Sequence, residues 1–154
     1  MSGSDRLFLG LDSSTQGLKA TVIDESFKTV CEKTVNFDRD LPEFKTRGGV
    51  HRHDDGLTVT SPPLMWVAAL DLLWAAMKAD RFPTEKIAAV SGSGQQHGSV
   101  WFKSGARKTL KALAGGKTLR EQLADVFSVA DSPIWMDSST TRQCQERERA
   151  LGGP

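Results

Sequence analysis

Three short stretches hold the residue types that chemistry uses. The first is Asp12-Ser13-Ser14-Thr15-Gln16-Gly17-Leu18-Lys19. Its carboxylate follows an apolar run, where a buried strand ends. A carboxylate there can hold Mg²⁺, mostly through waters. The turn's backbone N–H groups and the Ser14 and Thr15 hydroxyls can face a phosphate, and Lys19 adds positive charge. An ordinary Ser- and Gly-rich hairpin turn has the same composition, and no glycine-rich phosphate fingerprint accompanies it. The second stretch is Ser91-Gly92-Ser93-Gly94-Gln95-Gln96-His97-Gly98. Its glycines let a ligand approach the backbone. Gln95, Gln96 and His97 offer amide and imidazole groups suited to sugar hydroxyls. The competing reading is a flexible loop with a structural histidine. The third is Trp135-Met136-Asp137-Ser138-Ser139, a stacking ring beside a carboxylate. Alone it is better read as a core tryptophan and a helix N-cap. His51-Arg52-His53-Asp54-Asp55 lacks a second ligand pair at metal-site spacing and reads as solvated loop.

The elements that must position these residues follow from pattern. Residues 7–11 (LFLGL) are a near-continuous apolar run, the mark of a strand buried on both faces. Residues 20–23 make a second strand. Residues 29–37 alternate, with Cys31, Val35 and Phe37 on one face, and make a third. Short turns between them predict an antiparallel meander. Residues 38–60 form a long polar connection, of a length that is uncommon unless functional or disordered. Ser61-Pro62 predicts a helix start with serine at the N-cap. Trp66, Val67, Leu70, Leu73, Trp74 and Met77 then recur at helical spacing, a core stripe. Residues 87–90 read as a buried strand and residues 100–102 as a further short one. Residues 103–116 are loosely helical. Thr118 with Glu121 is a capping box, with Leu119, Leu123 and Val126 on one face behind it. Asp137 or Ser138 is positioned to cap a last, charged helix running to Leu151. The order predicts an α/β domain with a mixed sheet that starts with a three-strand meander. A Rossmann domain, with a helix after its first strand, does not fit.

Composition excludes several classes. The chain has 154 residues, about one domain, with 38% hydrophobic and 25% charged residues. Twenty basic and 19 acidic residues leave a net charge of +1, which offers nucleic acid or an anionic membrane no electrostatic handle. The cluster Arg107, Lys108, Lys111 and Lys117 is read as a solvated face. No stretch reaches the roughly 18 apolar residues of a membrane span. The polar start at residues 1–6 is not a signal segment. Two distant cysteines, Cys31 and Cys144, argue for a reduced, cytoplasmic setting and against a disulfide framework.

Taken together, GLDSSTQGLKA, SGSGQQHGSVW and PIWMDSSTTRQC resemble the N-terminal part of the FGGY carbohydrate kinases, in particular their eukaryotic ketopentose branch. The intervening VNFDRDLPEFKTRGGVHRHDDGLTVTSPPLMW is similar to that branch as well. The resemblance implies a ribonuclease H-like fold of the actin and hexokinase type. It implies ATP- and Mg²⁺-dependent phosphorylation of D-xylulose to D-xylulose 5-phosphate. Asp12 would sit near the metal, with Ser14, Thr15, Gln16 and Lys19 around the phosphates. Gln96 and His97 would contact the ketose, and Trp135 and Asp137 would shape its pocket. Many members carry arginine where this chain has Ser139. The family's catalytic aspartate lies beyond Pro154. The second half of the first domain and the whole ATP-binding second domain have no counterpart in residues 1–154. The expectation is therefore a catalytically incomplete piece of a kinase. The alternative is a non-catalytic sugar-binding or regulatory module derived from one.

Overall fold

A computed structural model describes residues 6–153. The polar leader at residues 1–5, and Pro154, lie outside the described residues. Strands β1 (Leu7–Ser13), β2 (Gly17–Ile23) and β3 (Thr29–Asn36) form the expected meander. Later in the chain, β6 (Ile87–Gly94) returns parallel to β1, giving a mixed sheet in the order β3-β2-β1-β6. The intervening helix α2 (Pro63–Ala79) packs against β2 and β3. It buries Met65, Ala68, Ala69, Leu73 and Met77 against Leu9, Leu18, Ala20, Val22 and Val35. Burying a side chain of the Leu or Met type is worth about 1.5–3 kcal/mol, so this seam is the main source of stability.

The remaining elements are short. They are α1 (Phe37–Asp40), β4 (His51–Arg52), β5 (Val59–Ser61), α3 (Ala106–Lys111), α4 (Leu119–Gln122), β7 (Ser132–Pro133) and α5 (Thr141–Ala150). Strands β4, β5 and β7 make a second sheet over Val50, Val59 and Ile134. The capping box at Thr118 and Glu121 is present. The Asp71 carboxylate on α2 also accepts from the Leu119 and Arg120 amides, each at 2.8 Å, and so ties α4 to the main helix.

Several expectations are corrected. Strand β1 is covered on one face only, because α2 spans a single side of the sheet; Gly10 and Asp12 are exposed. Strand β6 runs on through Gly94 and is not buried: Val90 is 59% exposed, since α2 sits over β2 and β3 and leaves this edge uncovered. Residues 100–102 form no strand; Phe102 makes one isolated bridge to Phe127. The helical part of residues 103–116 is confined to α3. Ser61 does not cap α2. It ends β5, buried, and its hydroxyl donates to the Gly49 carbonyl at 2.8 Å; Pro62 takes the cap position. The last helix starts at Thr141, after Thr140, and not at Asp137 or Ser138.

The long connection at residues 38–60 is folded, and the Asp38 side chain organises it. Its carboxylate accepts from the Thr46 hydroxyl at 2.7 Å, the Gly48 amide at 2.6 Å and the Gly49 amide at 3.0 Å. Burial pushes this carboxyl up, but the hydroxyl of Thr46 and the amides of Gly49 and Gly48 outweigh it and hold Asp38 below the usual carboxylate range. The loop so formed presses Gly49 onto the turn between β1 and β2. A β-carbon on Gly49 would stand 1.9 Å from the Thr15 carbonyl oxygen, and the residue has φ +77°. Gly48 shares the left-handed backbone, φ +64°, but faces open space.

Two predictions follow from this loop. Gly48→Ala should cost only the left-handed strain, about 1–2 kcal/mol. Gly49→Ala should cost about 1–3 kcal/mol more, from the clash with Thr15. Urea melts of the two variants check this, and equal losses would contradict the contact. Asp38 titrates with a folded value below its unfolded one, so its stabilisation is present above about pH 4 and lost as pH falls through the folded value. Asp38→Asn should therefore melt lower than the parent at pH 7, by about 1.5 kcal/mol. The gap should close as pH falls below about 4; a gap independent of pH would refute it.

Candidate active site

Strands β1 and β6 run parallel, with Ser13 beside Gly94, so their carboxyl ends open at the same edge of the sheet. The Gln95 amide donates to the Ser13 carbonyl at 2.9 Å, which continues the pairing into the loop. In parallel sheets ligands bind outside such strand ends. Here an open cleft of about 550 Å³ lies there, lined by Asp12, Ser14, Thr15, Gly94, Gln95, Gln96, His97 and Trp135. That volume suits a small-molecule ligand.

Residues far apart in sequence meet in this cleft by direct bonds. The Asp12 carboxylate accepts from the Ser93 hydroxyl at 3.2 Å. The Trp135 indole N–H donates to the Thr15 hydroxyl oxygen at 3.0 Å, across 120 positions. That hydroxyl stands 3.3 Å from Gln95 Oε1. The Trp135 ring is 54% exposed, a wall of the cleft and not a core residue. His97 has φ +58°. A non-glycine residue in that region is strained, and such strain gathers at ligand sites.

Thus Asp12, Ser14, Thr15, Gln96, His97 and Trp135 line one cleft. Gln16, Lys19 and Asp137 do not. Gln16 supports the turn from below, its carbonyl accepting from the Phe37 amide at 3.0 Å. Lys19 lies opposite Asp12 in the β1–β2 pairing and lines a neighbouring hollow of about 290 Å³, which shares Asp12. Its ammonium pairs with Glu32 at 2.8 Å. The Lys19 partnership holds the Glu32 carboxyl below its ordinary value. Asp137 is taken up by its own turn and by β5, accepting from the Ser139 hydroxyl at 2.6 Å and the Val59 amide at 2.9 Å. Burial raises its carboxyl, and the bonds from Ser139 and Val59 outweigh that and lower it.

Gln95, named with Gln96 and His97 for its amide, lines the cleft; Ser93, which touches Asp12, stood out only as a member of a polar run. Gly49, which seats the turn, carried no signal beyond a Gly-Gly pair. The His51–Asp55 stretch is a two-residue strand followed by a tight turn, and Arg52 to Asp55 are exposed, as the solvated reading expects. His51 Nε2 lies 2.7 Å from the Phe44 carbonyl and its Nδ1 3.3 Å from Asp131. His53 Nε2 lies 3.0 Å from the Thr60 hydroxyl. Asp55 accepts from the Thr58 hydroxyl and from the Thr58 and Leu57 amides, which pull its carboxyl down to about 2.

Among the described residues, Asp12 is the one carboxylate lining the cleft. Among the described residues no group of three or more His, Cys, Asp or Glu side chains is placed to hold a metal. A single carboxylate such as Asp12 could hold a Mg²⁺ only if the ion kept most of its waters. No described helix is long and apolar enough to cross a membrane.

No family model matches the chain. Xylulose kinase from Rattus norvegicus is 55% identical over 96% of this chain and 28% of its own length. Xylulose kinase 2 from Arabidopsis thaliana is 51% identical over 97% of this chain and 27% of its own. The crystal structure of a xyloylose kinase from Brucella ovis superposes with a TM-score of 0.66 at 21% identity, covering 96% of this chain and 24% of that one. The chain thus spans about a quarter of the length of the relatives it matches. Its fold is that of the FGGY sugar kinases, of the actin and hexokinase kind, and over nearly its whole length it is similar to the N-terminal part of the xylulose kinases.

Proposed function

We propose that this chain supplies the phosphate turn and part of the ketose site of an ATP-dependent xylulose kinase. The reaction moves the terminal phosphoryl group of ATP to a hydroxyl of D-xylulose, giving D-xylulose 5-phosphate and ADP. The observation that carries this reading is the convergence of the Asp12–Thr15 turn and the Gln95–His97 loop on one cleft. Phosphoryl transfer is mainly positioning and charge stabilisation, so a site that brings phosphate and acceptor together is most of the machinery.

In this reading Asp12 orients the waters of Mg²⁺, which when bound neutralises charge on the phosphates. Lys19 adds positive charge from the neighbouring hollow, after release from Glu32. Gln96 and His97 hold ketose hydroxyls, and Trp135 stacks on the sugar's carbon face. The residue that takes the hydroxyl proton is, by resemblance, an aspartate beyond Pro154, so chemistry requires a longer polypeptide than these 154 residues. A cytoplasmic location and a role in xylose metabolism belong to the same proposal.

The test is D-xylulose-dependent ADP formation by the complete polypeptide that contains this chain. His97→Ala should raise KM for D-xylulose by about tenfold, roughly 1.4 kcal/mol, with KM for ATP little changed. Lys19→Ala should lower kcat by at least as much, with little change in KM for the sugar. Absence of sugar-dependent turnover, or equal loss of both affinities in His97→Ala, would overturn the reading. The 154-residue chain alone should not turn over.

A further inference from the structure

Thr15 sits between the two halves of the cleft, and counting its protons assigns its role. An indole N–H donates and never accepts. At 3.0 Å, Trp135 therefore donates to the Thr15 hydroxyl oxygen. That hydroxyl has one proton, and it faces Gln95 Oε1 at 3.3 Å. The bonds form a directed relay, Trp135 to Thr15 to Gln95. Two consequences follow. The Thr15 hydroxyl proton is committed within the protein and is not free for a phosphate oxygen. The Gln95 amide is thereby oriented, its oxygen turned to Thr15, which leaves its N–H pair as the donor it turns to a ligand.

We propose that Thr15 is a positioning residue. Its hydroxyl locks the Trp135 wall to the Gln95 amide, and thereby sets the ketose side of the cleft from the phosphate turn. Trp135 needs such a tether: with 54% of it exposed, packing alone does not orient the ring. Gln95 becomes a donor to a hydroxyl or carbonyl oxygen of the sugar. The turn that carries Thr15 is itself braced by Gly49, so the relay starts from a fixed point. This inference rests on the kinase reading for its ligand; the bond relay does not.

The experiment has a spectroscopic arm and a kinetic arm. 5-Fluorotryptophan labelling of the complete polypeptide lets the resonance of Trp135 be assigned by its loss in Trp135→Phe, and those of this chain's other three tryptophans by the matching Phe variants. Thr15→Val, which keeps the shape and removes the hydroxyl, should shift and sharpen that resonance and leave those of Trp66, Trp74 and Trp101 in place. Thr15→Ser should restore it. In kinetics, Thr15→Val should raise KM for D-xylulose several-fold with a smaller change in kcat, and Thr15→Ser should recover the parent value. An unmoved Trp135 resonance in Thr15→Val overturns the relay. So does a fall in kcat, or a rise in KM for ATP, with KM for the sugar unchanged, which would mean the hydroxyl serves the phosphate directly. Should Thr15→Val collapse every resonance, Trp135→Phe carries the test, with the same rise in KM for the sugar expected and an unchanged KM refuting it. A shifted resonance in a protein that fails to phosphorylate D-xylulose would sink the kinase reading and leave the relay standing.

Discussion

The parallel pairing of β1 with β6 is the contact on which the site depends. It sets Ser13 beside Gly94, so two polar loops separated by about 80 positions leave the sheet at one edge. An antiparallel pairing would send the second loop to the opposite end. The pairing requires a crossover, and α2 supplies it while burying its own stripe on β2 and β3. One helix thus provides both the main core and the connection that brings the chemistry together.

The turn after β1 would be loose without backing. Asp38 gathers Thr46, Gly48 and Gly49 around its carboxylate, and Gly49 then seats against the Thr15 carbonyl. The small sheet of β4, β5 and β7 closes behind this loop through Ser61, whose hydroxyl holds the Gly49 carbonyl. From β7 the chain turns Trp135 over the cleft, where it meets Thr15. The segment that looks least structured by composition is therefore what makes the turn between β1 and β2 rigid.

Part of this was legible in the residues. The meander, the α2 stripe and the capping box at Thr118 and Glu121 depend on neighbours a few positions apart, so periodicity and turn chemistry report them. The three polar stretches were visible too, because chemically useful side chains stood at strand ends. Other features were not. Strands of two or three residues such as β4, β5 and β7 carry no period and exist only through their partners. The exposure of β6 escaped the pattern because AAV reads as buried whatever lies above it. Asp137 read as a ligand-facing or helix-capping carboxylate and Asp38 carried no signal beyond a polar connection, yet both are spent on backbone amides.

By itself the sequence determined the order of the longer elements, the mixed-sheet class and the residue types available for chemistry, since these follow from local propensity and spacing. Tertiary structure decided which of those residues share a cleft. Lys19 and Asp12 lie seven positions apart on one hairpin, yet Lys19 opens onto the neighbouring hollow and pairs with Glu32. Trp135 and Thr15 lie 120 positions apart and are bonded. The reason is physical: which face a strand presents, and what covers it, depends on elements elsewhere in the chain, and no window on the sequence contains them.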